Sequence, residues 1–146
     1  THQTGEQDLI ITKDLYLQLN PNHAHQIISF IDDMSKAYQA ANLVICRAGA
    51  STIFEILASN SASILIPLPG AIDDHQTKNA LYLVNHNAAI LVNQNELTVD
   101  KLKNLIIELK NNPNKINSLK EAAKSLYKQY AKCNSSHMIS ELILDL

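Results

Sequence analysis

The sequence predicts an α/β fold in which a parallel sheet is covered by helices, and three observations predict it. Four short runs rich in Ile, Leu and Val, at Gln26–Phe30, Leu43–Cys46, Ser63–Pro67 and Ala89–Val92, have strand length and the continuous apolarity of strands buried on both faces. Segments of helical length, Met34–Ala41, Ala50–Ser59 and Asp74–Asn85, fill the gaps between them, and parallel strands with crossover helices satisfy such an alternation most economically. Beyond Asn95 the apolar period becomes purely helical, which adds a helical C-terminal tail to the sheet.

The first element is Glu6–Leu19, where Leu9, Ile10, Ile11, Leu15, Leu17 and Leu19 mix the strand and helix periods. Its halt at Pro21-Asn22, with no hairpin turn, favours a helix. The strand ending at Phe30 feeds a helix that begins near Asp32. In the tail, Val99, Leu102, Leu105, Ile106 and Leu109 share one face, Ile116, Leu119, Ala123, Leu126 and Tyr130 another, and Met138, Ile139, Leu142, Ile143 and Leu146 repeat the pattern. Core packing is the expected use of such stripes. No internal repeat or low-complexity linker interrupts the chain.

With 146 residues, one domain with a single sizeable core is expected. A hydrophobic fraction of 46%, a charged fraction of 18% and a net charge of -2 describe a soluble globular protein. That charge, with only five Tyr and two Phe for base stacking, argues against a nucleic-acid partner. The two cysteines, Cys46 and Cys133, are far apart and outside any CxxC pair, so a reducing compartment fits better than a disulfide framework. The longest apolar stretches, such as Ala62–Pro69, fall well short of the roughly 18 to 20 residues that span a bilayer. No charged-then-apolar leader opens the chain, and its start at Thr1 suggests part of a longer protein.

In an open parallel sheet, ligands bind at the carboxyl ends of the strands, where loops meet helix N-termini. The loops to inspect are therefore those after Phe30, the stretch Arg47-Ala48-Gly49-Ala50-Ser51-Thr52, and Leu68-Pro69-Gly70-Ala71-Ile72-Asp73-Asp74. Small residues around Gly49 let a ligand approach the backbone, and the N–H groups opening the next helix, with their partial positive charge, suit a diphosphate. Glu55, one turn further along, suits two neighbouring ribose hydroxyls. The same residues have a structural use: Thr52-Ile53-Phe54-Glu55 fits the S/T-x-x-E capping box. Asp73 with Gln76 offers the same ambiguity, Gln76 serving either a cap or sugar hydroxyls. Ser118-Leu119-Lys120-Glu121 fits the box where no ligand is expected, and the pattern by itself favours capping.

His23, His25 and His75 join no set with metal-ligand spacing, so no metal is expected. No GxSxG, GxxxxGK[ST] or GxGxxG pattern occurs, which removes support for hydrolase and P-loop chemistry.

Four motifs, His2-Gln3-Thr4-Gly5, Phe30-Ile31-Asp32-Asp33-Met34, Cys46-Arg47-Ala48-Gly49-Ala50-Ser51-Thr52-Ile53-Phe54-Glu55 and Asp74-His75-Gln76-Thr77-Lys78-Asn79-Ala80, together resemble the MurG family in order and spacing. The resemblance covers nearly the whole chain. It implies a Rossmann-like parallel sheet with flanking helices, the C-terminal domain of a GT-B glycosyltransferase, with residues 1–146 forming a donor domain incomplete at its N-terminus. It further implies an inverting transfer of N-acetylglucosamine from UDP-N-acetylglucosamine to the undecaprenyl-diphospho-N-acetylmuramoyl-pentapeptide called lipid I, forming lipid II at the cytoplasmic face of the bacterial inner membrane, without a cofactor. By matching motif, Ile31 would meet uracil through its backbone with Met34 beside it, and Glu55 would hold the ribose. Gly49, Ala50, Ser51 and Thr52 would face the diphosphate, and Gln76, with Asn79 nearby, the sugar.

Two departures qualify the resemblance. Ala48 stands where relatives commonly carry Ser, which removes a hydroxyl. The family's glycine-rich first loop and its acceptor domain, the implied source of the catalytic base, the lipid I contact and the membrane patch, do not occur in this sequence, so catalysis by this chain alone is not expected. A noncatalytic UDP-sugar-binding subunit and a GT-B transferase of other specificity are the competing readings.

Overall fold

Strand and helix alternate through the computed structural model, which describes residues 1–19, 21–22, 24–70 and 74–132. The chain divides into two compact units, Thr1–Ala37 and Tyr38–Leu146, and each has its own parallel sheet.

In the first unit, β1 (His2–Gln3) pairs in parallel with β2 (Ile27–Ile28), His2 opposite Ile27 and Gln3 opposite Ile28. β1 is an element that the sequence pattern does not announce, because two exposed polar residues carry no period. Its place is fixed by backbone bonds from His2 N–H to Gln26 and from Thr4 N–H to Ile28, at 2.7 and 3.0 Å. The mixed-period segment is a helix, α1 (Leu9–Leu19), and none of its residues is buried. α2 (Met34–Ala40) starts in this unit, where Asp33 caps it by accepting the Lys36 N–H at 3.0 Å. That bond, and then the nearby Lys36 ammonium, holds the Asp33 carboxyl below its ordinary pKa.

The second unit is built on a sheet in the order β3-β4-β5, all parallel: β3 (Val44–Cys46), β4 (Ser63–Leu65) and β5 (Ile90–Leu91). The strands are shorter than the apolar runs that predict them, and burial on both faces holds for central β4 alone. Ile45 on edge strand β3 is 42% exposed. α3 (Ala50–Ser59) and α4 (His75–Asn85) connect the strands.

Both helices end in the same way. Asn60 and Asn87 adopt the left-handed conformation, with φ of 53° and 56°. Beyond them Ser61 N–H bonds to Ile56 O and Ala88 N–H to Leu83 O, which is the Schellman arrangement that turns a chain sharply from a helix into a strand. In a chain with only three Gly, asparagine, which tolerates positive φ, takes that position.

The tail contributes α5 (Val99–Asn111) and α6 (Pro113–Lys132). Ile64, Val92 and Leu109 form a buried cluster against which Leu102, Leu105 and Ile116 pack. Val99 and Ile106, expected on the same stripe, are 84% and 36% exposed, so the buried face of α5 is narrower than its apolar pattern. Leu119, Ala123 and Leu126 of α6 are buried, as core packing requires. The expected helix around Met138, Ile139, Leu142, Ile143 and Leu146 lies outside the described residues, as do His23 and Cys133.

Candidate functional site

The carboxyl ends of β3 and β4 lead into the two loops that the sequence singles out, and three side chains tie those loops together. Arg47, just after β3, donates from Nη1 to the carbonyls of Ile66 and Pro67 at 3.0 and 3.2 Å. Asn79 of α4 donates from Nδ2 to the Ala48 carbonyl at 3.0 Å. Gln76 accepts the Leu68 N–H on Oε1 at 3.0 Å. Each bond satisfies a loop backbone group that neither sheet nor helix can reach, so the rim is held by its own polar side chains.

The start of α3 faces this rim uncapped. Its N-cap is Gly49, at φ -65° and ψ 152°, and among the described residues no side chain bonds to the first turn. The first intrahelical bond runs from Ile53 N–H to Gly49 O at 2.9 Å, which leaves the Ala50, Ser51 and Thr52 amides without a partner inside the helix. No acidic residue in that turn offsets the positive end of the macrodipole. Among the described residues a Cβ on Gly49 would meet nothing closer than Thr52 Oγ1 at 3.8 Å, so none of them requires glycine there. Ala48 is fully buried, and a hydroxyl on its side chain would lie away from solvent.

Glu55 does not cap α3. Thr52 lies inside the first turn rather than at the N-cap, and the Glu55 carboxylate accepts instead from Tyr38 Oη, at 3.0 Å on Oε2. Burial, and then this bond to an anion, pushes the Tyr38 pKa above its ordinary value. Cys46, at the end of β3, is raised to about 11, by burial first and by the Glu55 charge second.

Of the other two expected boxes, the one at Ser118 dissolves, while the one at Asp73 rests on a residue outside the described ones. The N-cap of α4 is Asp74, at φ 56° and without a side-chain cap bond; Asp73 lies outside the described residues, with Ala71 and Ile72. Ser118 sits inside α6, where its hydroxyl donates to Asn114 O at 2.9 Å, and exposed Glu121 approaches Lys124 at 3.6 Å. Helices make their caps elsewhere: Thr98 accepts the Lys101 N–H at the start of α5, and Asn112 the Lys115 N–H before α6.

The second unit thus brings together the N-cap Gly49 and Ala50, Ser51, Thr52 and Glu55 of α3 with Asn79, through its bond to Ala48, and sets Gln76, in the first turn of α4, against the Leu68 amide of the neighbouring loop. Ile31 and Met34 belong to the first unit, after β2 and at the start of α2, both half-buried. Sequence reasoning missed Tyr38 and Arg47, whose partners lie 17 to 20 residues away. A cavity of about 390 Å³ in the first unit, lined by Tyr16, Pro21, His25 and Gln26 among others, opens at the amino end of β2 and contains none of the candidate residues. Among the described residues no cluster of His, Cys, Asp and Glu could hold a metal, and no helix is long and apolar enough to cross a membrane.

Residues 1–134 match the glycosyltransferase family 28 C-terminal domain. The chain belongs to this family. A family member from Francisella tularensis subsp. tularensis is 43% identical over 143 residues, which are 97% of this chain and 37% of the relative. One from Citrifermentans bemidjiense is 46% identical over 126 residues, 86% of this chain and 35% of the relative. Both are named UDP-N-acetylglucosamine--N-acetylmuramyl-(pentapeptide) pyrophosphoryl-undecaprenol N-acetylglucosamine transferase. The crystal structure of Acinetobacter baumannii MurG superposes with a TM-score of 0.78 at 38% identity, over 99% of this chain and 40% of that one. The α/β fold with parallel strands and flanking helices is thus that of a family 28 C-terminal domain, and the chain spans under two fifths of the length of these two curated relatives.

Proposed function

We propose that the chain is the donor-binding domain of a glycosyltransferase that, as a complete protein, transfers N-acetylglucosamine from UDP-N-acetylglucosamine to lipid I to form lipid II. The observation that carries this reading is the uncapped start of α3 beside a carboxylate that is not used for capping. An uncapped first turn provides N–H donors and a positive dipole end for a diphosphate, and Glu55 provides acceptors for ribose hydroxyls. The family and the printed names of its members supply the sugar and the acceptor.

In this reading the Gly49–Thr52 backbone binds the diphosphate, Glu55 the ribose, Ile31 uracil through its backbone with Met34 beside it, and Gln76 and Asn79 the sugar. Because Gln76 Oε1 and Asn79 Nδ2 already serve Leu68 and Ala48, Gln76 presents its Nε2 donors and Asn79 its Oδ1 acceptor. The reaction inverts the anomeric carbon: the acceptor hydroxyl loses its proton to a base as its oxygen bonds to that carbon, and the bond to the diphosphate breaks with its electron pair leaving on the diphosphate. The α3 dipole stabilises that leaving charge. The base, the lipid I contact and the peripheral attachment to the cytoplasmic face of the inner membrane come from the acceptor domain, and this chain alone does not turn over.

Calorimetric titration of UDP-N-acetylglucosamine into the full-length protein tests the reading. Glu55→Ala and Gln76→Ala each weaken binding by about tenfold or more, the scale of a lost hydrogen bond to a charged or well-placed group. Glu121→Ala, on an exposed face of α6, leaves affinity unchanged. If all three variants bind alike, the site is misassigned; if UDP-glucose and UDP-galactose compete equally, the donor specificity is.

A further inference from the structure

Glu55 is held by more than one contact. Its carboxylate accepts from Tyr38 Oη at 3.0 Å, and the Tyr38 backbone carbonyl accepts from Ser61 Oγ at 3.5 Å. Ser61 Oγ meets Ser59 Oγ at 2.8 Å, and Ser59 Oγ donates back to the Glu55 carbonyl at 2.7 Å. These contacts link four residues, Glu55, Tyr38, Ser61 and Ser59; each serine has a single proton, so a Ser59–Ser61 bond forms only in place of one of the two bonds to carbonyls. Two of the four are strongly buried, Tyr38 at 6% and Ser61 at 2% exposure, so the phenol cannot swing away without breaking packing.

Among the described residues no cation pairs with Glu55. The neighbour whose ionisation feels its charge most clearly besides Tyr38 is Cys46, a half-buried thiol that stays protonated. A glutamate has three side-chain torsions and, left to itself on a half-buried helix face, samples several rotamers. Here a neutral phenol donates to Oε2, and among the described residues no hydrogen bond engages Oε1.

We propose that Tyr38 is a positioning residue for Glu55, a buried phenol that fixes one carboxylate oxygen so that the other meets a ribose hydroxyl of a nucleoside diphosphate. The inference rests on the ribose reading of Glu55 given above. A purely structural Tyr38 would hold α2 against α3 whatever the ligand; a positioning Tyr38 acts on discrimination at the ribose. The preference of the site for UDP over 2′-deoxy-UDP separates the two roles.

The test titrates UDP and 2′-deoxy-UDP into the full-length protein, its Tyr38→Phe and Glu55→Ala variants and the double variant, with thermal unfolding of each. Tyr38→Phe keeps the ring and its packing. The native protein prefers UDP by about tenfold, as expected for one hydroxyl bonded to a carboxylate, and Glu55→Ala removes the preference. Tyr38→Phe shrinks it several-fold, and the double variant resembles Glu55→Ala. If Glu55→Ala loses the preference while Tyr38→Phe keeps it, Tyr38 is structural and the proposal falls, with the ribose reading intact. If Glu55→Ala keeps the preference, the ribose reading falls and the proposal with it. A lower melting temperature for Tyr38→Phe with an unchanged preference also counts against it.

Discussion

The helices that open on the rim and the helices of the tail begin differently. Among the described residues no side chain caps the start of α3, whose N-cap is Gly49, and the N-cap of α4, a left-handed Asp74, makes no side-chain cap bond. α5 and α6 start under Thr98 and Asn112, each accepting an N–H three residues on. A missing cap leaves donors to be satisfied by water or a ligand and typically forgoes about 1 kcal/mol of helix stability. The uncapped start of α3 coincides with the loop at the carboxyl end of β3, where the proposed diphosphate site lies, while the capped starts of α5 and α6 belong to the tail that packs against the sheet.

The division can be broken at its strongest point, the tail core. Leu109 is fully buried against Ile64 and Val92, so Leu109→Ala should cost about 2–5 kcal/mol through lost burial and the cavity left behind. Urea unfolding measures that loss, and nucleotide titration below the transition should show native affinity. A specific loss of affinity in molecules that remain folded would mean that tail and rim are not separable.

At the rim the two quantities should move in opposite directions. Ser51 is exposed in the uncapped first turn of α3, and Ser51→Asp places a negative charge at the positive dipole end. Stability should rise by about 0.3–1 kcal/mol, whereas affinity for a nucleoside diphosphate should fall by about tenfold, because the new carboxylate competes for the same N–H groups and repels the anion. Equal affinities for variant and native protein would remove the diphosphate from this helix start.

How much of this was legible in the sequence follows from the range of each interaction. The β4 run and the alternation around it were readable because a strand buried on both faces leaves an unbroken apolar signature, Ser63-Ile64-Leu65 within Ala62–Pro67. β1 was not, since its two polar residues are strand only by virtue of β2. The S/T-x-x-E pattern misled at Thr52 and again at Ser118, because four residues cannot say where a helix begins; at both places it had begun earlier. Asn60 and Asn87 carried a readable stop signal that the scatter of asparagines concealed. The loops were singled out by their place after the strands and Glu55 by its place one turn into the helix, but Tyr38, which engages the carboxylate from 17 residues away, was beyond any local pattern.

The smallest effect tests the comparison most sharply. Thr98 Oγ1 accepts the Lys101 N–H at 3.1 Å while its carbonyl accepts from Leu102 at 3.0 Å, so Thr98→Ala removes a side-chain cap and leaves the backbone bond. The expected cost is about 1 kcal/mol, measured by urea unfolding, with nucleotide affinity unchanged. Placing the same kind of cap on α3, by Gly49→Ser, should return a few tenths of a kcal/mol at most, since Gly is itself a fair N-cap, and the added hydroxyl should lower affinity by engaging a first-turn N–H. Capping would then strengthen the chain at both helix starts and harm binding at one only; harm at neither would leave the uncapped start of α3 without a functional consequence.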